Sequence, residues 1–60
     1  MRPIVKLMTF AESTYAAVDE ATEIWLYAMS TRFDHFRVFS MDGYEGSDGK
    51  HYRTIIYKVW

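Results

Sequence analysis

The sequence predicts a small α+β fold of order β-α-β-β: a three-stranded sheet with one helix packed on one face and a long C-terminal hairpin. Three observations carry that expectation. Residues 35–60 read as two apolar strands folded around Asp48-Gly49. Residues 10–30 hold apolar side chains at helical spacing, and residues 2–9 have the make-up of a strand. The 60 residues form a single domain, 1–60. A chain of this size buries only about 60% of its unfolded surface.

The first strand is expected over residues 2–9, Arg-Pro-Ile-Val-Lys-Leu-Met-Thr. Pro3 has no N–H to give a ladder and belongs at the strand's start or on an edge. Val5 and Leu7 share one face, and Ile4, Lys6 and Met8 the other.

The helix is expected over residues 10–30, with two possible starts. Thr9 followed by Glu12 makes a capping box, and Ser13 is a second N-cap. Ala17, Val18, Ala21, Ile24, Trp25 and Ala28 fall within about 120° of the helix surface and form the stripe expected to face the sheet. Tyr15 and Leu26 lie outside it and define a second, weaker apolar stripe, with Met29 also off the core face. Asp19, Glu20 and Glu23 belong to the solvated side. Ser30 to Asp34 form a short polar connection. The helical crossover predicts that strand 1 runs parallel to one hairpin strand.

Asp48-Gly49 suits a two-residue type I′ turn, in which both central residues need φ > 0. That turn would pair Ser47 with Lys50, Tyr44 with Arg53, Asp42 with Ile55, Ser40 with Tyr57 and Val38 with Val59. One face would then carry Phe36, Val38, Tyr44, Ile55, Tyr57 and Val59. The other would carry Phe39, Met41, Tyr52, Thr54, Ile56 and Trp60. A hairpin packed on one core should alternate apolar with polar. This one is apolar on both faces, so its second face is expected to meet another copy or a partner.

Composition narrows the function classes. Hydrophobic residues make up 50% and aromatics 18%, with no cysteine. Disulfides are thus excluded, and oligomerisation is the expected means of covering the surplus. A net charge of −1, from 7 basic and 8 acidic residues, offers no field for nucleic acid or an anionic membrane. No apolar run approaches the ~20 residues of a membrane span. No signal-peptide stretch opens the chain, and a cytoplasmic location is expected.

Catalytic patterns are missing. In the proposed register His51 lies beside the turn and His35 near the hairpin's open end, too far apart to share a metal. Asp34-His35 has no nucleophile beside it. Asp42, Glu45 and Asp48 do not follow the D-x-D-x-D-G spacing of a calcium loop. Gly43, Gly46 and Gly49 do not open a helix after a strand, as a phosphate loop requires. Gly43 is instead expected to mark a β-bulge. The chain is therefore read as no enzyme, with no metal and no obligatory cofactor. Its binding chemistry lies in the aromatic and cationic residues of the hairpin. Phe36, Phe39, Tyr52, Arg53 and Trp60 are the candidate ligand or partner contacts. Tyr15, Leu26, Met41 and Ile56 are the candidate oligomer contacts.

Laid out this way, the chain resembles the dodecins over nearly its whole length. Ser13-Thr14-Tyr15-Ala16-Ala17-Val18-Asp19-Glu20-Ala21 falls where their Ser-started helix lies, and Tyr52-Arg53-Thr54 within their last strand. The resemblance implies a βαββ fold, a hollow dodecamer and storage of flavin by aromatic stacking and a glutamine contact. Two positions depart from it. Phe36 stands for the stacking Trp, and Arg53 for the glutamine. The chain also resembles short βαββ proteins of sporulating bacteria and their phages, through Val5-Lys6-Leu7 and Tyr52-Arg53-Thr54-Ile55-Ile56-Tyr57-Lys58. That likeness implies a phage-type accessory factor that inhibits a host protein. A self-associating binding protein of this kind is the leading expectation. A dodecin-like protein sequestering a flavin or nucleotide is the alternative.

Overall fold

The computed structural model describes residues 2–60. Four elements follow in chain order: β1 (Ile4–Glu12), α1 (Tyr15–Arg32), β2 (Phe36–Glu45) and β3 (His51–Val59). The α+β class and β-α-β-β order are those the patterning predicts. The sheet runs β1-β3-β2, and both neighbouring pairs are antiparallel. β1 and β2 thus point the same way with β3 between them. The expected parallel relation holds in direction only, since β1 hydrogen-bonds to β3.

β3 takes the centre because its alternate residues are the most apolar of the sheet. Ile55, Tyr57 and Val59 are buried on one face, packed with Met8, Phe10, Phe36 and Val38 from the outer strands. α1 covers that face over β1 and β3, and the far half of β2 projects beyond it. The result is a slab of 41 × 18 × 11 Å with one sheet face uncovered.

β1 is longer than its sequence pattern predicts. Phe10, Ala11 and Glu12 continue the ladder opposite Arg53, Tyr52 and His51. Neither expected N-cap is used, because Thr9 lies inside the strand and Ser13 precedes the cap. Thr14 is the cap, and its Oγ1 accepts from the Ala17 N–H at 3.1 Å. This satisfies one of the helix's orphan donors. At the other end Phe33 N–H donates to the Met29 carbonyl, and Arg32 lies in the last turn against the negative dipole end.

The buried helix stripe is Val18, Thr22, Trp25 and Met29, spaced by four, three and four. It is rotated by about a quarter turn from the predicted one. Ile24 is 62% exposed and Ala28 is also on the surface. Leu26 and Met29, placed off the core by periodicity, are partly buried. The difference lies at Thr22, a polar residue that an apolar pattern leaves outside the stripe. Its hydroxyl donates to the Val18 carbonyl at 2.7 Å, so it enters the interior with its hydrogen bond made.

The hairpin differs from its predicted register in two places. Its loop has three residues rather than two. Gly46 N–H donates to the Lys50 carbonyl and Gly49 N–H to the Gly46 carbonyl, and only Gly49 has positive φ, at 80°. Asp48 keeps φ < 0, so a type I′ turn does not form. Its carboxylate instead accepts from the Lys50 N–H and the Tyr52 hydroxyl. The second difference is a bulge at Phe39, between Val38 and Ser40, and not at Gly43. Each feature shifts the pairing by one. Val38 therefore pairs with Tyr57, two residues from the expected Val59, and keeps its predicted face. Beyond the bulge the alternation reverses. Met41 joins the helix side and Tyr44 moves to the uncovered face, both opposite to expectation.

Candidate functional site

The uncovered sheet face is built row by row from the register. Val5, Lys58 and Arg37 form one row across β1, β3 and β2. Leu7, Ile56 and Ser40 form the next, then Thr9, Thr54 and Asp42, then Ala11, Tyr52 and Tyr44. The bulge places Phe39 beside Ser40 on this same face. Its ring lies 5.2 Å from Lys58 Nζ and 5.9 Å from the Arg37 guanidinium. Leu7 is 63% exposed, Phe39 49% and Ile56 37%. Together they make an apolar belt across the middle of the face.

Aromatic pairs flank the belt at both ends. Tyr44 and Tyr52 stack at 5.1 Å with an interplanar angle of 10°. At the open end Trp60 stacks on His35 at 5.1 Å and 7°, held by the Trp60 N–H to His35 carbonyl bond. Lys58 Nζ lies 4.7 Å from the Trp60 ring, so the ammonium sits between Trp60 and Phe39. These cation–π contacts steady Lys58 directly opposite Arg37. Facing like charges across strands are unfavourable. Neither cation has a carboxylate within ion-pair distance among the described residues.

An open groove of about 530 Å³ lies on the helix side, where β2 projects past α1. It is lined by Met41, Gly43, His51 and Arg53 of the sheet and by Tyr15 and Asp19 of the helix. Arg53 Nη1 donates to Asp19 Oδ1 at 2.8 Å, with Arg53 10% and Asp19 50% exposed at the side chain. The Asp19 bond holds the guanidinium pKa above its ordinary value, against the opposing effect of burial. Tyr15 covers the guanidinium at 5.5 Å and meets His51 edge-on. The groove's buried charge is thus compensated from within the chain.

The predicted binding residues separate onto different surfaces. Tyr52 and Phe39 lie on the open face, and Trp60 at its end. Arg53 is on the helix side, because adjacent strand residues point to opposite faces. Phe36 is a core residue, 5.7 Å from Trp25 and 5.8 Å from Tyr57. Of the predicted oligomer contacts, only Ile56 is on the open face. Tyr15 and Met41 line the groove, and Leu26 is partly buried on α1. His35 and His51 stand at opposite ends of the sheet. The sequence reading missed the Arg37–Lys58 juxtaposition and the Tyr stack. Both depend on the loop length and the bulge, which Asp48-Gly49 alone does not fix.

No protein-family model, curated protein or solved structure matches the chain.

Proposed function

We propose that the chain is a non-enzymatic, self-associating binding protein whose open sheet face is its docking surface. In this reading it works as an accessory factor, most simply one that inhibits a host protein by covering part of it. One observation carries the reading: an open sheet face with Leu7, Phe39 and Ile56 exposed on three adjacent strands. An apolar belt of this kind on so small a chain is costly to leave in water. Side chains spread across three strands suit a macromolecule better than a small ligand, which prefers a concave site. Sedimentation velocity at micromolar concentration tests it. A mass that is a multiple of 7.1 kDa is expected, and a stable 7.1 kDa monomer refutes it.

A second reading is favoured by the flat Trp60–His35 stack beside Lys58 and Arg37. Planar rings next to two cations suit an anionic heteroaromatic such as a flavin or nucleotide, held between copies as the dodecin likeness implies. Freshly purified protein would then be yellow or show excess nucleotide absorbance in the ultraviolet. A plain Trp and Tyr spectrum, unchanged on adding flavin mononucleotide or ATP, counts against it.

A further inference from the structure

We propose that a second copy of this chain covers the open face, with the two sheets stacked so that their strands run antiparallel and Arg37 of each copy meets Asp42 of the other. The proposal rests on the self-association read above. It adds which face is used, which way the strands run and which charges decide the direction.

Face-to-face sheets related by a two-fold axis between them can stack with their strands aligned in two ways. An axis along the strands lays β2 over β1 of the second copy and β3 over β3, with every row facing its own counterpart. Lys58 would then face Lys58, beside two Arg37 side chains that already oppose it within each copy. An axis across the strands reverses their direction and keeps β2 over β2. Centred on the Leu7–Ile56–Ser40 row, it lays the apolar belt on itself. Rows two residues away, about 6.6 Å along the strand, then exchange partners. The Arg37 row lands on the Asp42 row in both directions. Sheets pack about 10 Å apart, a gap that an arginine and an aspartate span together.

Three features of the face agree with this choice. Arg37 and Lys58 are opposed like charges with no anion of their own chain in ion-pair range among the described residues. Asp42 lies two rows away on the same strand as Arg37, opposite the neutral Thr54, with no cation in ion-pair range. The two aromatic stacks lie two rows to either side of the Leu7–Ile56–Ser40 row, so the same axis brings Tyr44 and Tyr52 over His35 and Trp60 of the second copy. The parallel alternative sets Lys58 on Lys58 and leaves Arg37 and Asp42 over Val5 and Thr9, so neither charge is answered.

Charge reversal separates the possibilities. The R37E/K58E double variant and D42R each change surface groups, and far-UV circular dichroism melts confirm that each remains folded. Sedimentation equilibrium at low salt should show the dissociation constant rising about tenfold or more for each variant alone. Mixing R37E/K58E with D42R should restore association as a mixed dimer, which a mass tag on one variant identifies. A mixed dimer of R37E/K58E with wild type that is tighter than either homodimer would overturn the antiparallel arrangement, because parallel stacking turns the Lys58–Lys58 repulsion into an attraction when only one copy is reversed, whereas antiparallel stacking leaves the wild-type dimer the tightest. Association of every variant and every mixture equal to wild type would overturn the use of this face while leaving self-association standing. A monomeric wild-type protein would overturn both.

Discussion

Trp25→Ala should be among the most damaging single substitutions in this chain. The Trp25 ring meets Phe10 at 6.1 Å, Phe36 at 5.7 Å and Tyr57 at 4.8 Å, each edge-on. Those partners come from β1, β2 and β3, so one side chain ties the helix to all three strands. Edge-on aromatic pairs contribute about 0.5–1.5 kcal/mol each beyond their burial. Truncation of a Trp typically costs about 3–5 kcal/mol, and partial burial places this one near 3. A 60-residue chain holds only about 3–9 kcal/mol in total. At roughly 4–8 °C per kcal/mol, the thermal midpoint should fall by about 12–24 °C or the fold should be lost. Trp25→Phe keeps part of the edge packing and should lose less than half as much. Circular dichroism melts at one fixed protein concentration measure both, since association raises apparent stability. A drop below about 5 °C for Trp25→Ala would refute the claim that this ring locks helix to sheet.

The hairpin tip should respond to pH on both sides. The Tyr52 hydroxyl, followed by the Lys50 N–H, holds the Asp48 carboxyl below its usual 3.8, so its stabilisation is present above that value and lost as pH falls through the lower folded one. The same bond raises the Tyr52 phenol above 10.0, so that contribution is present below 10.0 and lost as pH rises through the higher folded value. Amide hydrogen exchange at residues 46–50, corrected for intrinsic rates, should be slowest between about pH 4 and 10, and Asp48→Asn should flatten the acid side. Asp19→Ala should destabilise the fold by about 1–2 kcal/mol, less than a fully buried pair because Asp19 is half exposed. Urea unfolding checks this, and Asp19→Ala combined with Arg53→Met should recover much of the loss, since no buried cation is then left unpaired.

The sequence by itself determined the element order, the two-faced apolar hairpin and the common face of Ile55, Tyr57 and Val59, while the helix decided that this face is the inward one. These follow from local periodicity, and a strand's alternation survives errors in what it pairs with. Two shifts of one residue, at the loop and at the bulge, even restored the predicted face of Phe36 and Val38. The tertiary structure alone decided which residues share a surface. The three-residue loop keeps Asp48 at negative φ, with its carboxylate bonded to the Lys50 N–H and the Tyr52 hydroxyl, a choice that the dipeptide Asp48-Gly49 does not make on its own. The three-residue loop moved Met41 and Tyr44 to the faces opposite to those expected, and the bulge at Phe39, which has no local signal, returned Phe36 and Val38 to theirs. Thr22 could join the core stripe because its hydroxyl found the Val18 carbonyl within the same helix. Arg53 could be buried because Asp19, 34 residues earlier, reached it across the helix–sheet boundary. Register, rotation and charge pairing are relations between distant segments, and a pattern read along one segment at a time does not contain them.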